Sequence, residues 1–93
     1  MRGPASMSGD PRAAPAAERQ ALLRDSGAAL YGPLNWKAPL ARDLGVSAKT
    51  IQRWDNGSDA VPPGVLADLL RITQQRAMEL DALGDRLRRY AAP

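Results

Sequence analysis

Residues Leu40–Gly57, LARDLGVSAKTIQRWDNG, carry the information that decides the fold. Leu40, Ala41 and Leu44 recur at the spacing of one buried helical stripe. Gly45 stops that helix, because glycine takes the left-handed conformation that a sharp exit requires. Ser47 stands where a hydroxyl can accept a backbone N–H and open a second helix, expected to run to about Trp54. That second helix has two unlike faces. Ile51 and Trp54 fall on one side, and Lys49, Gln52, Arg53 and Asn56 on the other. Asn56-Gly57 is a strong turn signal that closes it.

Working outward, a preceding helix is expected from about Ala16 to Leu30, with apolar contacts from Ala21, Leu22, Leu23 and Leu30. Gly27 weakens it, since glycine costs about 1 kcal/mol against alanine in a helix interior. Gly32-Pro33 ends it. The helix holding Leu40 should begin near Trp36, which puts Pro39 in a first turn, where its missing N–H matters least. Ser58, Asp59 and Pro62-Pro63 extend the loop after Gly57, and a long last helix is expected from about Pro63 to Tyr90. Leu66, Leu70, Thr73, Ala77, Leu80, Gly84 and Leu87 follow heptad-like steps along it, and Leu69, Leu80, Leu83, Leu87 and Tyr90 form an overlapping stripe.

The expected fold class is all-α, four or five helices around a central helix-turn-helix with a long C-terminal helix. Residues 1–15, rich in Gly, Pro, Ala and Ser, read as a disordered tail. Met7 within them is a second candidate start, and Arg2 and Arg12 would suit an arm reaching into a minor groove. Residues 16–75 form the compact domain, and 76–93 a helical extension that outruns what so small a core can cover.

Composition narrows the function. The chain of 93 residues has no Cys and no His, which removes disulfides, thiolate metal sites and the commonest general base. Without a phosphate-cradling glycine loop or a carboxylate pair suited to acid–base work, an enzyme is not expected. No cofactor, metal or small-molecule ligand is expected either. Thirteen Lys and Arg face ten Asp and Glu, for a net charge of +3, too balanced for a purely electrostatic binder. Local sign matters more: Val46 to Trp54 holds Lys49 and Arg53 and no acid. No apolar run approaches membrane-spanning length and no signal-peptide core is present, so the expected location is the bacterial cytoplasm or nucleoid.

The stretch resembles the helix-turn-helix of the phage repressor and Cro-like DNA-binding families. The likeness covers roughly residues 20–72 and rests on several positions: the small Ala41, the turn at Gly45, the apolar Val46, Ile51 and Trp54, and the Asn56-Gly57 exit. The wording LARDLGVS, then Thr50-Ile51 and Arg53-Trp54, is also similar to short bacterial and prophage regulators. Two features depart from the pattern: Pro39 inside the usual span of the first motif helix, and the length of the last helix.

The resemblance implies that the helix Ser47–Trp54 reads the major groove. Arg53 would approach guanine, Gln52 adenine or a phosphate, Lys49 a guanine edge or a phosphate, and Ala48 a thymine methyl. Ser47, Thr50 and Asn56, with Lys37 and Arg42 on the preceding helix, would hold phosphates and set register. Taken alone, two cations four residues apart describe a solvated helix face. Ser47 has a structural role as a cap whatever else it does, and Trp36 and Trp54 read first as core. Leu80, Leu83, Leu87 and Tyr90 read as internal core or as a dimer seam, with Thr73 and Gly84 arguing against a strong zipper. Arg86, Arg88 and Arg89 read as solubilising charge at a helix C-terminus.

The function expected is a sequence-specific duplex-DNA-binding regulator of transcription, a repressor acting as a homodimer on a roughly palindromic site. The competing expectation is a protein-interaction module on the same scaffold, such as an antitoxin or an adaptor of recombination or packaging, using the long last helix.

Overall fold

A computed structural model describes residues 14–91. The tail residues 1–13, with Met7 and the proposed arm residues Arg2 and Arg12, lie outside the described residues, as do residues 92–93. Among the described residues the fold is all-α, with four helices: α1 (Ala16–Tyr31), α2 (Lys37–Leu44), α3 (Ala48–Asp55) and α4 (Val65–Arg88). The fifth helix allowed by the sequence does not form there.

The core is small and almost wholly aliphatic apart from two indoles. Leu23 from α1, Trp36, Leu40 and Ala41 from the start and body of α2, Ile51 and Trp54 from α3, Val61 from the following loop and Leu69 from α4 make one cluster. Tyr31, Leu44, Val46, Val65 and Leu66 close its edges. Val61 is buried though it belongs to no helix. The Arg19 side chain fixes its peptide, Nε donating to Val61 O at 2.6 Å.

The inward stripe of α1 is Leu23, Gly27 and Leu30, spaced i, i+4, i+7. Leu22, expected in the core, lies a quarter-turn away and is exposed. Gly27 does more than weaken the helix, because it is the seat of Trp36. A Cβ at residue 27 would collide with Trp36 Cε3 and sit 2.6 Å from Cδ2. The glycine thus lets the α1 backbone and the indole approach closely, and Trp36 is buried as a result.

α2 begins one residue later than Trp36, which becomes its N-cap. Pro39 occupies the first turn, where no intrahelical N–H bond is owed, and Leu40 N–H makes the first such bond, to Trp36 O at 3.0 Å. The helix is consequently only eight residues long. α4 starts at Val65 rather than Pro63 because Pro62, Pro63 and Gly64 form a lead-in turn, with Val65 N–H bonded to Pro62 O at 3.0 Å. Its regular helix ends at Arg88, and Tyr90 continues as a turn.

α4 divides into two halves. Leu69 and Ile72 are buried against the other helices. Arg76 marks the end of the packed part: its Nη1 donates to Leu30 O at 2.9 Å at the C-terminus of α1, and its guanidinium lies over the Tyr31 ring. Beyond it, Leu80, Leu83, Leu87 and Tyr90 are exposed. No helix among the described residues is long and apolar enough to cross a membrane.

Candidate nucleic-acid interface

α2, the turn and α3 are built as the sequence requires. Gly45 adopts φ +76° and its N–H bonds to Arg42 O at 3.2 Å, while Val46 N–H bonds to Ala41 O at 3.0 Å. This pair of bonds satisfies the last carbonyls of α2 and reverses the chain within two residues. Ser47 is extended, and its Oγ accepts the Thr50 N–H at 3.1 Å. α3 therefore starts with its first backbone donors directed and its orientation to α2 fixed.

Ile51 and Trp54 anchor the back of α3 in the core, at 0% and 8% exposure. At 3.6 residues per turn, Ala48, Lys49, Gln52, Arg53 and Asn56 then fall within an arc of about 140° on the opposite side. All five are exposed. Ser47 is exposed and Thr50 half-buried at the margin of that front, their hydroxyls 2.9 Å apart. Arg42 is exposed on α2. The fold thus brings Ala48, Lys49, Gln52, Arg53 and Asn56 onto one face with Ser47 and Thr50 at its margin, whereas the Arg42 charge acts on the Tyr31 phenol.

Their electrostatics differ from what the run of cations in the sequence implied. Arg53 Nε lies 2.8 Å from Asp59 Oδ2, so an acid from the following loop folds back onto the front. The hydrogen bond from Arg53 holds the Asp59 carboxyl below the usual carboxylate range and raises the guanidinium further above its own. Lys37 is also engaged. Its Nζ donates to Gln52 Oε1 at 2.8 Å and pairs with Asp55 Oδ2 at 3.0 Å. Among the described residues, Lys49 and Arg42 pair with no carboxylate. Lys49 is therefore the front's uncompensated charge.

Sequence reasoning missed Asp55, the last residue of α3. Arg24 Nε meets its Oδ1 at 2.9 Å and Lys37 its Oδ2 at 3.0 Å, so one carboxylate ties α1 and α2 to α3. Its backbone carbonyl accepts from Gln20 Nε2 at 2.6 Å and from Arg24 Nη2 at 3.2 Å. Burial pushes the Asp55 carboxyl up, but the hydrogen bonds and charges of Lys37 and Arg24 outweigh it, leaving the group below its ordinary value. Asn56, nominated for phosphate, uses Oδ1 to accept the Ser58 N–H at 2.8 Å and so shapes the exit turn. Gly57 beside it adopts φ +83°.

A second polar cluster joins the end of α1 to α2. Tyr31 Oη donates to Asp43 Oδ2, and burial followed by this bond pushes the phenol up to about 12. An open, polar depression of about 240 Å³ beside it is lined by Asp43, Arg71, Ile72, Gln75, Arg76 and Glu79. No group of acidic side chains among the described residues is arranged to hold a metal ion.

Comparison of the chain with protein-family models, with curated proteins and with solved structures finds no match.

Proposed function

We propose that this protein binds duplex DNA sequence-specifically, with α3 in the major groove, and regulates transcription as a repressor. The observation that carries the reading is the two-faced α3: Ile51 and Trp54 locked in the core, and Ala48, Lys49, Gln52 and Arg53 exposed together on the outside. A short helix held rigidly by a tight turn can enter a groove without a large ordering cost. Arg53, Gln52 and Lys49 offer donors suited to guanine and adenine edges, and Ala48 a methyl for thymine. Ser47 and Thr50 flank them and suit phosphates, and Arg42 on α2 is a further exposed cation for the backbone. Lys37, through its bond to Gln52 Oε1, acts chiefly by orienting that amide.

Arg53 changes partners on binding. In the free protein it pairs with Asp59, an exposed ion pair that contributes little to stability. A guanine edge or a phosphate replaces the carboxylate, and Asp59 thereby tempers affinity for DNA in general. The test is binding of the intact chain to duplexes, with Arg53→Ala and Lys49→Ala as variants. Arg53→Ala should relax preference at one base. Equal affinity of both variants and the parent for every duplex would sink the proposal.

One observation favours a second reading, a protein-interaction module. The leucines of the outer half of α4 are exposed. A chain that binds no duplex yet captures a partner through α4 would replace the first reading with this one.

A further inference from the structure

The outer half of α4 presents an apolar face that nothing in the fold covers. Leu80, Leu83, Leu87 and Tyr90 continue, at steps of three and four residues, the stripe that begins inside the domain with Leu69, Ile72 and Arg76. Leu80 is 58% exposed and Leu87 57%. A helix of this kind, projecting past its own core, is stable only weakly unless its apolar stripe is covered.

Charge along the same half is segregated. Glu79, Asp81 and Asp85 come first, and Arg86, Arg88 and Arg89 follow. A second copy laid parallel would set the three arginines beside their own copies. A second copy laid antiparallel would set acid beside base. Glu79 and Arg86 both immediately precede an apolar position of the stripe, so they flank the seam on the same side. Arg86 has no carboxylate partner among the described residues, and Glu79 has only a loose contact with Arg76 at 3.6 Å. On the opposite margin stand Ala77 and Gly84, small enough to let two helix backbones approach.

We infer that the outer half of α4 pairs antiparallel with the same segment of a second copy, through a two-fold axis between Asp81 and Ala82. In this register Leu80 packs against the partner's Leu83, and Leu83 against the partner's Leu80. Glu79 lies beside the partner's Arg86, and the reverse contact repeats it. Leu87 covers the aliphatic stem of the partner's Arg76, and Tyr90 reaches the partner's Thr73, where each globular core begins. At about 1.5 Å of rise per residue, the two Ile72 positions lie roughly 30 Å apart along the paired helices. Both α3 fronts stay outside the seam. The seam is short, at the low end of specific interfaces, and so gives a weak dimer with a Kd on the micromolar scale. The pairing does not depend on α3 reading DNA.

Sedimentation of the full chain over a concentration series up to about 100 µM should show a monomer–dimer equilibrium. Glu79→Arg and Arg86→Glu should each weaken it about five- to thirtyfold, and the double variant should restore it. Leu80→Glu should abolish it, with helicity and melting of the monomer retained. The chain has no native cysteine, so a spin label at Arg89→Cys reports direction. Antiparallel pairing places the two labels more than about 20 Å apart along the axis, whereas parallel pairing places them side by side. A monomer at every concentration, a dimer indifferent to the charge reversals, or adjacent labels would overturn the inference.

Discussion

The indole of Trp36 rests directly on the backbone of Gly27, with no space between them for a methyl group. Trp36 is the N-cap of α2, so this contact sets the angle at which the helix-turn-helix leaves α1. Elsewhere in an exposed helix interior, Gly→Ala gains about 1 kcal/mol. At Gly27 the sign reverses. Overpacking against a ring that cannot withdraw should cost about 1–3 kcal/mol net. Urea unfolding of Gly27→Ala, followed by circular dichroism, measures it, and a stabilised variant would contradict the packing described.

Trp54 locks α3 from behind at 8% exposure. Its removal in Trp54→Ala should cost about 3–5 kcal/mol, a large share of the stability of so small a domain. Leu22→Ala, on the exposed side of α1, should cost much less. Comparable losses at the two sites would mean that Trp54 does not stand in the core.

Asp55 gives the fold an acid limit. Its folded carboxyl titrates below the ordinary value, so its contribution is fully present above the unfolded carboxylate pKa of about 3.9. That contribution is lost as pH falls through the lower folded value. Asp55→Asn should therefore melt below the parent at pH 7, and the gap should narrow as pH falls past the unfolded carboxylate pKa and close once pH lies below the depressed folded one. A gap that persists unchanged at the acid end would show that the carboxylate's charge is not what ties α1 and α2 to α3.

Much of this architecture is legible in the sequence because it is local. Gly45 and Ser47 act on backbone groups within a few residues, and Ile51 and Trp54 declare themselves by spacing. The remainder depends on contacts between distant residues. Nothing local shows that Gly27 faces Trp36, that Arg24 and Lys37 converge on Asp55, or that Asp59 returns to Arg53. The periodicity of α4 named its leucines, and the small size of the core set the end of the compact domain at residue 75, but neither names the contact that marks it. That contact depends on the length of α1, whose Leu30 carbonyl meets Arg76 across 46 residues of sequence. Leu22 and Leu23 are indistinguishable by composition, and only the register of α1 against Trp36 assigns one to the core.

Asp59→Ala should free the Arg53 guanidinium and raise affinity for duplexes of all sequences by a modest factor, on the order of two- to fivefold at low salt. Lys49→Ala should act in the opposite direction. If Lys49 meets phosphate, the slope of log affinity against log salt should fall by about 0.9. Titrations of one duplex at several salt concentrations distinguish the two variants. Identical curves for the parent and both variants would show that the α3 front does not touch DNA.

Selection of bound duplexes from a random pool at about 150 mM salt reveals whether α3 reads base sequence, since non-specific binding is suppressed there. An enriched motif is expected with the parent chain, and loss of one base preference with Arg53→Ala, at a cost of about 1–3 kcal/mol on the best duplex. An unenriched pool, or a motif unchanged by Arg53→Ala and Lys49→Ala alike, would contradict it.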